Sequence, residues 1–223
     1  MTFSIKDLKP ANDFARTYGV KAIIFGPPGS SKTPTINTCP RPVMLACEPG
    51  LLSMRGSTVP TCQAFTPEAI DDFFKWFFNS SETKNFDTLA IDSASQLSDI
   101  YLQKALKTNK HGLKAYGDMA DDVMSHLRPL FYTKEKHTYV ICKQKIEAGL
   151  ARPYFPGNQL NIDVPHLYDF LLHLGIHNVP NMGQVRSLQC NESYDVLARN
   201  RTGNLNDYEP PDFGLLVKKA LGI

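Results

Sequence analysis

Residues 26–33 read Gly-Pro-Pro-Gly-Ser-Ser-Lys-Thr and follow directly on the apolar run Ala22-Ile23-Ile24-Phe25. A strand that hands the chain to a Gly-rich turn ending in Lys-Thr is the setting of a phosphate-binding loop. There a polyphosphate is neutralised by inward-pointing main-chain N–H groups, by the positive end of the helix that follows and by one ammonium group. Gly26 and Gly29 supply the backbone freedom, and Pro27, Pro28, Ser30 and Ser31 complete the cradle. Lys32 would reach the β- and γ-phosphates of ATP, and the Thr33 hydroxyl would ligate Mg2+. Ser31 stands where glycine is usual, which a negative φ would allow, and Pro34 suits the first turn of the following helix. The plain alternative is a Gly/Pro turn that carries a surface lysine.

A chain of 223 residues is one domain with a full core. Short apolar runs alternate with helical stretches, which predicts an α/β fold: a mostly parallel central sheet with helices on both faces. Strands are expected at 21–25, 43–47, 60–64, 87–92, 137–142, 167–174 and 185–190, with a short one near 194–199. Thr66-Pro67-Glu68 opens a helix whose Ile70, Phe73, Phe74, Phe77 and Phe78 fall on one face. Further helices are expected from near Ser95 through Leu106 and over 118–130, leaving 107–117 and 145–165 as long irregular segments. Five cysteines (39, 47, 62, 142, 190) without Cys-x-x-Cys spacing read as reduced thiols of a cytoplasmic protein. No apolar run is long enough to span a bilayer and the N-terminus has no leader-peptide core, so no membrane contact is expected.

Three more strand ends carry polar groups. Phe86-Asp87-Thr88-Leu89-Ala90-Ile91-Asp92-Ser93 ends in an acid, and Asp92 would share Mg2+ with Thr33. A strand ending in Asp-Ser can equally do no more than cap the next helix. Val43-Met44-Leu45-Ala46-Cys47-Glu48 puts Glu48 at a tip where ligands of open α/β sheets gather, suited to orient and deprotonate water. It can also be a turn carboxylate. Thr138-Tyr139-Val140-Ile141-Cys142 is followed by Lys143-Gln144-Lys145, and Gln144 would sense the γ-phosphate, or else is an ordinary loop residue.

Taken in this order, with Ala46-Cys47-Glu48-Pro49-Gly50-Leu51 and Ile91-Asp92-Ser93-Ala94-Ser95-Gln96-Leu97, the parts resemble the ATPase core of RecA-type recombinases. More narrowly the chain resembles the short phage-encoded core-only group that includes single-strand annealing proteins. The resemblance implies one RecA-like P-loop NTPase domain over 1–223, with 1–20 as an N-terminal extension. It implies a homo-oligomeric ring or filament with ATP at subunit interfaces, where Arg199 and Arg201 act on the neighbour's γ-phosphate. These arginines can also be plain surface groups. The family's DNA-facing loops correspond to 104–117 and 145–160.

Residues 100–117 hold Lys104, Lys107, Lys110, Lys114 and His111 with Tyr101 and Tyr116 and no acid, and the second segment holds Lys145, Arg152, Tyr154 and Phe155 against Glu147. Cations with aromatics suit sequence-independent single-strand binding, although a lysine run is often just a solvated face. A net charge of +2 confines such contact to a local patch. The expected function is an ATP-hydrolysing, single-stranded-DNA-binding protein of phage recombination or annealing, with a phage single-strand-binding protein as an optional further partner. The alternative is a nucleotide-binding accessory of phage replication or packaging that acts through protein partners.

Overall fold

The computed structural model describes residues 4–15 and 18–223. Of the expected N-terminal extension, positions 1–3 and 16–17 lie outside the described residues; the rest holds a short 3-10 turn and a short helix, α1 (Ala11–Ala15). The sheet is built on β1 (Lys21–Gly26), β2 (Pro42–Ala46), β3 (Thr61–Gln63), β4 (Thr88–Asp92) and β5 (His137–Glu147), of which β1, β4, most of β2 and the first half of β5 are buried. A ribbon strand, β6 (Leu150–Tyr154), pairs antiparallel with β5, and β7 (Phe170–Val179), β8 (Gly183–Gln189), β9 (Arg199–Asn200) and β10 (Tyr208–Glu209) follow. Their order is β10-β8-β7-β1-β5-β4-β2-β3, parallel from β7 to β3 and antiparallel at the β8–β10 edge. β1 is buried along its whole length, as expected of a central parallel strand.

Side chains alternate across β1: Ile23 and Phe25 pack into one core layer, Ala22 and Ile24 into the other. The first layer lies under α2 (Pro67–Asn79), α3 (Ala94–Thr108), α4 (Gly112–Tyr132) and α5 (Asn158–Leu167). The second is covered by α6 (Phe213–Leu221), whose Phe213, Leu216, Val217 and Ala220 are buried, and by the turn that carries Ile36. Helices on both faces of a mostly parallel sheet are thus present among the described residues, four on one side and α6 on the other.

Several expectations need correction. The segment 104–117 is not a loop: α3 continues through Thr108, the Asn109 side chain caps it by donating to the Ala105 carbonyl (2.9 Å), and α4 starts at Gly112. Nor is 145–160 irregular. β5 runs on past the core to Glu147 and turns at Ala148 and Gly149, both at positive φ, the geometry of a two-residue hairpin. The strand expected over 194–199 is reduced to β9 and one bridge between Val196 and Ala151. Phe78, expected in the core, is exposed. It lies at the end of α2 and lines an open groove of about 640 Å³ with Met124, Arg128 and Tyr132.

Candidate active site

The phosphate loop leaves β1 at the same sheet edge as the tips of β2, β4 and the parallel part of β5. Gly26 is required by close approach: a Cβ there would lie 2.1 Å from the Leu174 carbonyl oxygen. Gly29 adopts φ +78°, and Ser31 adopts φ +73° rather than the negative value expected of it. The helix expected after the loop is only a 3-10 turn, Pro34–Thr38. Cys39 precedes Pro40 and is extended (φ −69°, ψ 142°), which ends any helix there. α6 buttresses this turn: the Thr38 hydroxyl accepts from the Phe213 amide (2.8 Å) and donates to the Thr35 carbonyl (2.7 Å). From below, the buried Tyr139 hydroxyl donates to the Lys32 carbonyl (3.2 Å).

The loop, Glu48, Asp92, Ser93 and Gln144 line one cleft of about 600 Å³. Lys32 Nζ donates to the carbonyls of Gly26 (2.8 Å) and Pro27 (2.9 Å) and to Ser30 Oγ (3.2 Å). Among the described residues, the amides of Gly29, Ser31, Lys32 and Thr33 have no protein acceptor, whereas the Ser30 amide bonds the Pro27 carbonyl (3.3 Å). Pro27, Pro28 and Pro34 have no N–H to give. Unpaired amides beside one ammonium group are what a polyphosphate requires. Thr33 Oγ1 donates to Asp92 Oδ2 (2.6 Å), so the two predicted Mg2+ ligands are in contact. Oxygen donors of this kind fit Mg2+, which binds through one or two protein oxygens and phosphate.

Burial raises the Asp92 pKa, Glu48 adds to the rise, and the Thr33 bond and Lys32 oppose it. Burial lowers the Lys32 pKa against the pull of Asp92 and Glu48. A divalent cation and a polyanion would relieve both strains. Glu48 Oε1 accepts from Ser93 Oγ (2.6 Å), which in turn accepts from the Gln96 amide as the cap of α3.

Gln144 faces the cleft from β5, and its Oε1 lies 2.9 Å from His173 Nε2 on β7. Sequence reasoning missed His173 and His177. Their local signal was His173-Leu174-Gly175-Ile176-His177 on a strand, which puts both rings on one face with glycine between them. Burial, then the neighbouring His177, lowers the His173 pKa to about 4, and burial lowers that of His177.

The remaining predicted groups do not enter this cleft. Arg199 and Arg201 flank the start of β7, at the sheet end opposite the loop of the same chain. Arg199 donates to the Pro165 carbonyl, and Arg201 pairs with Asp169 (2.8 Å). Lys107, Lys110 and Lys114 are exposed around the α3–α4 turn, whereas Lys104 pairs with Asp122 (3.0 Å). Lys145 and Arg152 share Glu147 (2.7 and 3.0 Å), and Arg152 also donates to the Asn161 carbonyl (3.0 Å). Phe155 is fully buried and unfit for base stacking; Tyr154 is half-buried. The two segments do abut: Tyr116 packs at the bend of Gly157, and a cleft of about 180 Å³ between them is lined by Leu113, Tyr116 and Pro156. Ser95 Oγ, at the start of α3 just past Asp92, ties the hairpin to that helix, donating to the Tyr154 carbonyl (2.6 Å) and accepting from the Lys143 amide (2.9 Å).

The profile of the AAA domain family (AAA_24) matches residues 18–202, a span that contains the loop, all three strand tips and both arginines but not α6. No curated protein matches the chain. Among solved structures, a KaiC-like protein from the hyperthermophilic archaeon Pyrococcus horikoshii OT3 is similar at 13% identity over 77% of each chain, with a TM-score of 0.45. No described helix is long and apolar enough to cross a membrane.

Proposed function

The chain belongs to the AAA domain family, and from that premise we propose that it is a Mg2+-dependent ATPase whose nucleotide state governs binding to single-stranded DNA. The observation that carries this reading is the meeting of Lys32, Thr33, Asp92 and Glu48 around one cleft, with the Thr33–Asp92 contact at 2.6 Å. Mg2+ held by Thr33 and Asp92 would offset the charge of the β- and γ-phosphates. The loop amides and Lys32 bind the phosphate oxygens, Lys32 exchanging its loop carbonyls for them. Glu48 keeps Oε1 on Ser93, and Oε2, with no hydrogen bond among the described residues, takes the proton of the attacking water. Gln144 reads the terminal phosphate.

Arg199 and Arg201 are too far round the sheet to serve their own loop, so their action belongs to a neighbouring copy in a ring or filament. Lys107, Lys110 and Lys114 with the Lys145–Arg152 hairpin and Tyr154 form the DNA surface, tied to the cleft through Ser95. This fits strand annealing or recombination of the phage-encoded type, in the cytoplasm. The test is nucleotide turnover with and without single-stranded DNA. Stimulation by DNA and loss in Lys32→Ala are expected; turnover indifferent to both would reject the reading.

A second reading, a nucleotide-switched accessory that binds proteins, is favoured by one observation. Glu147 pairs with both Lys145 and Arg152, and its single charge halves what the hairpin offers to a phosphate backbone. A gel shift on an oligonucleotide separates the two, since only DNA binding weakens steeply with salt.

A further inference from the structure

β1 ends at Gly26, where the chain leaves the sheet for the phosphate loop, so its two parallel neighbours run on with no strand between them. β5 continues to Glu147 and β7 to Val179. Gln144 from one side and His173 from the other close this gap at 2.9 Å. The contact continues outward: His173 Nδ1 lies 3.0 Å from His177 Nε2, and His177 Nδ1 lies 2.8 Å from Ser187 Oγ on β8. Phe25 packs on the His173 ring (centroids 5.2 Å) and Tyr208 on that of His177 (5.3 Å). Gly175 makes room between them, for a Cβ there would lie 3.1 Å from His173 Cε1 and 3.3 Å from His177 Nε2.

Each ring nitrogen has one partner, and a neutral imidazole has one donor and one acceptor. The row therefore has only two polarities. With Gln144 Oε1 facing His173, both histidines carry their proton on Nε2 and Ser187 donates. With the carboxamide reversed, both carry it on Nδ1 and Ser187 accepts.

We propose that His173, backed by His177 and Ser187, is a positioning residue that holds Gln144 Oε1 and thereby turns the carboxamide N–H groups toward the phosphate cleft. The inference rests on the nucleotide reading above. A terminal phosphate offers only acceptors at neutral pH, so a carboxamide that reads it must present donors. His173 sets that orientation before nucleotide arrives, and Ser187 extends the link to the outer β7–β8 ribbon.

NMR of protein carrying nitrogen-labelled histidine reads the tautomers without any turnover. Both rings are expected in the Nε2–H form in the free protein, and Gln144→Ala, a change at the cleft surface, releases His173 into a mixture. An Nδ1–H form of His173 in the wild type, or tautomers indifferent to Gln144→Ala, would overturn the proposal. In steady-state kinetics His173→Asn is expected to lower kcat about tenfold with KM within about twofold. The same change adds nothing in a Gln144→Ala background, and His173→Gln, whose longer side chain carries its amide donor out to the place of Nε2, restores part of the loss. Losses that multiply, or an unchanged kcat in His173→Asn, would refute it while leaving the nucleotide reading intact. A wild type that fails to bind Mg·ATP would remove that reading, and the role of Gln144 with it.

Discussion

Ser31 holds a left-handed φ of +73° in the middle of the loop, where an L side chain costs about 1 kcal/mol relative to glycine. Ser31→Gly is therefore expected to raise stability by about 1 kcal/mol in urea titration, and a loss would show that the loop is held differently. Lys32, Thr33, Asp92 and Glu48 were legible in the sequence because each sits in a contiguous motif at a strand end. The Thr33–Asp92 and Glu48–Ser93 bonds then join those motifs as strand order dictates. Tyr139 and His173 were not legible as site residues. Their contacts, to the Lys32 carbonyl and to Gln144, join positions far apart in sequence, and the His-x-Gly-x-His spacing around His173 does not say which partner the ring meets. The backbone angle of Ser31 was likewise hidden, since the composition of a loop does not set its φ values.

Among the elements, the buried strands were readable from their apolar runs, and α2 from its Thr66 cap and aromatic spacing. The two ribbons past the sheet edge were not. Lys143–Glu147 is polar except for Ile146, and Leu150–Tyr154 is five residues interrupted by Arg152 and Pro153, so neither reads as a strand. Glu147 holds both cations of that hairpin, so Glu147→Gln is expected to strengthen oligonucleotide binding and to steepen its salt dependence by about one to two charges. Unchanged affinity would remove the hairpin from the DNA surface. α6 escaped the sequence reading, and its amide bond to Thr38 supports the shortened turn after the loop. Thr38→Val breaks this bond and the one to Thr35, and should cost about 1–2 kcal/mol in thermal unfolding while weakening nucleotide binding. Weaker stability with full affinity would show that the turn does not depend on this buttress.

For the molecule as a whole, alternation of apolar and helical stretches foretold the parallel sheet; the antiparallel edge of β8 and β10 was not foretold, because those strands are short or half-exposed. Burial lowers the pKa of His126, His137, His173 and His177. The unfolded chain binds these protons more readily, so their contribution to stability is whole above about pH 6.5 and is lost as pH falls. For His173, whose pKa drops from 6.5 to about 4, this loss is about 3 kcal/mol by pH 4. Asp92 and Asp169, raised by burial, act in the opposite sense nearer the carboxylate range. Thermal melts should therefore fall from pH 7 to pH 5, and a flat profile would mean that these rings are not buried neutral. The central claim is that one turn after β1 grips a triphosphate through its amides, Lys32 and a cation shared by Thr33 and Asp92. Titration of a fluorescent ATP analogue against wild type and Lys32→Ala, each with Mg2+ and with chelator, tests it most directly. Saturable binding that needs both Mg2+ and Lys32, with the variant still folded, is the predicted result; binding that survives the loss of either, or none in the wild type, would contradict it.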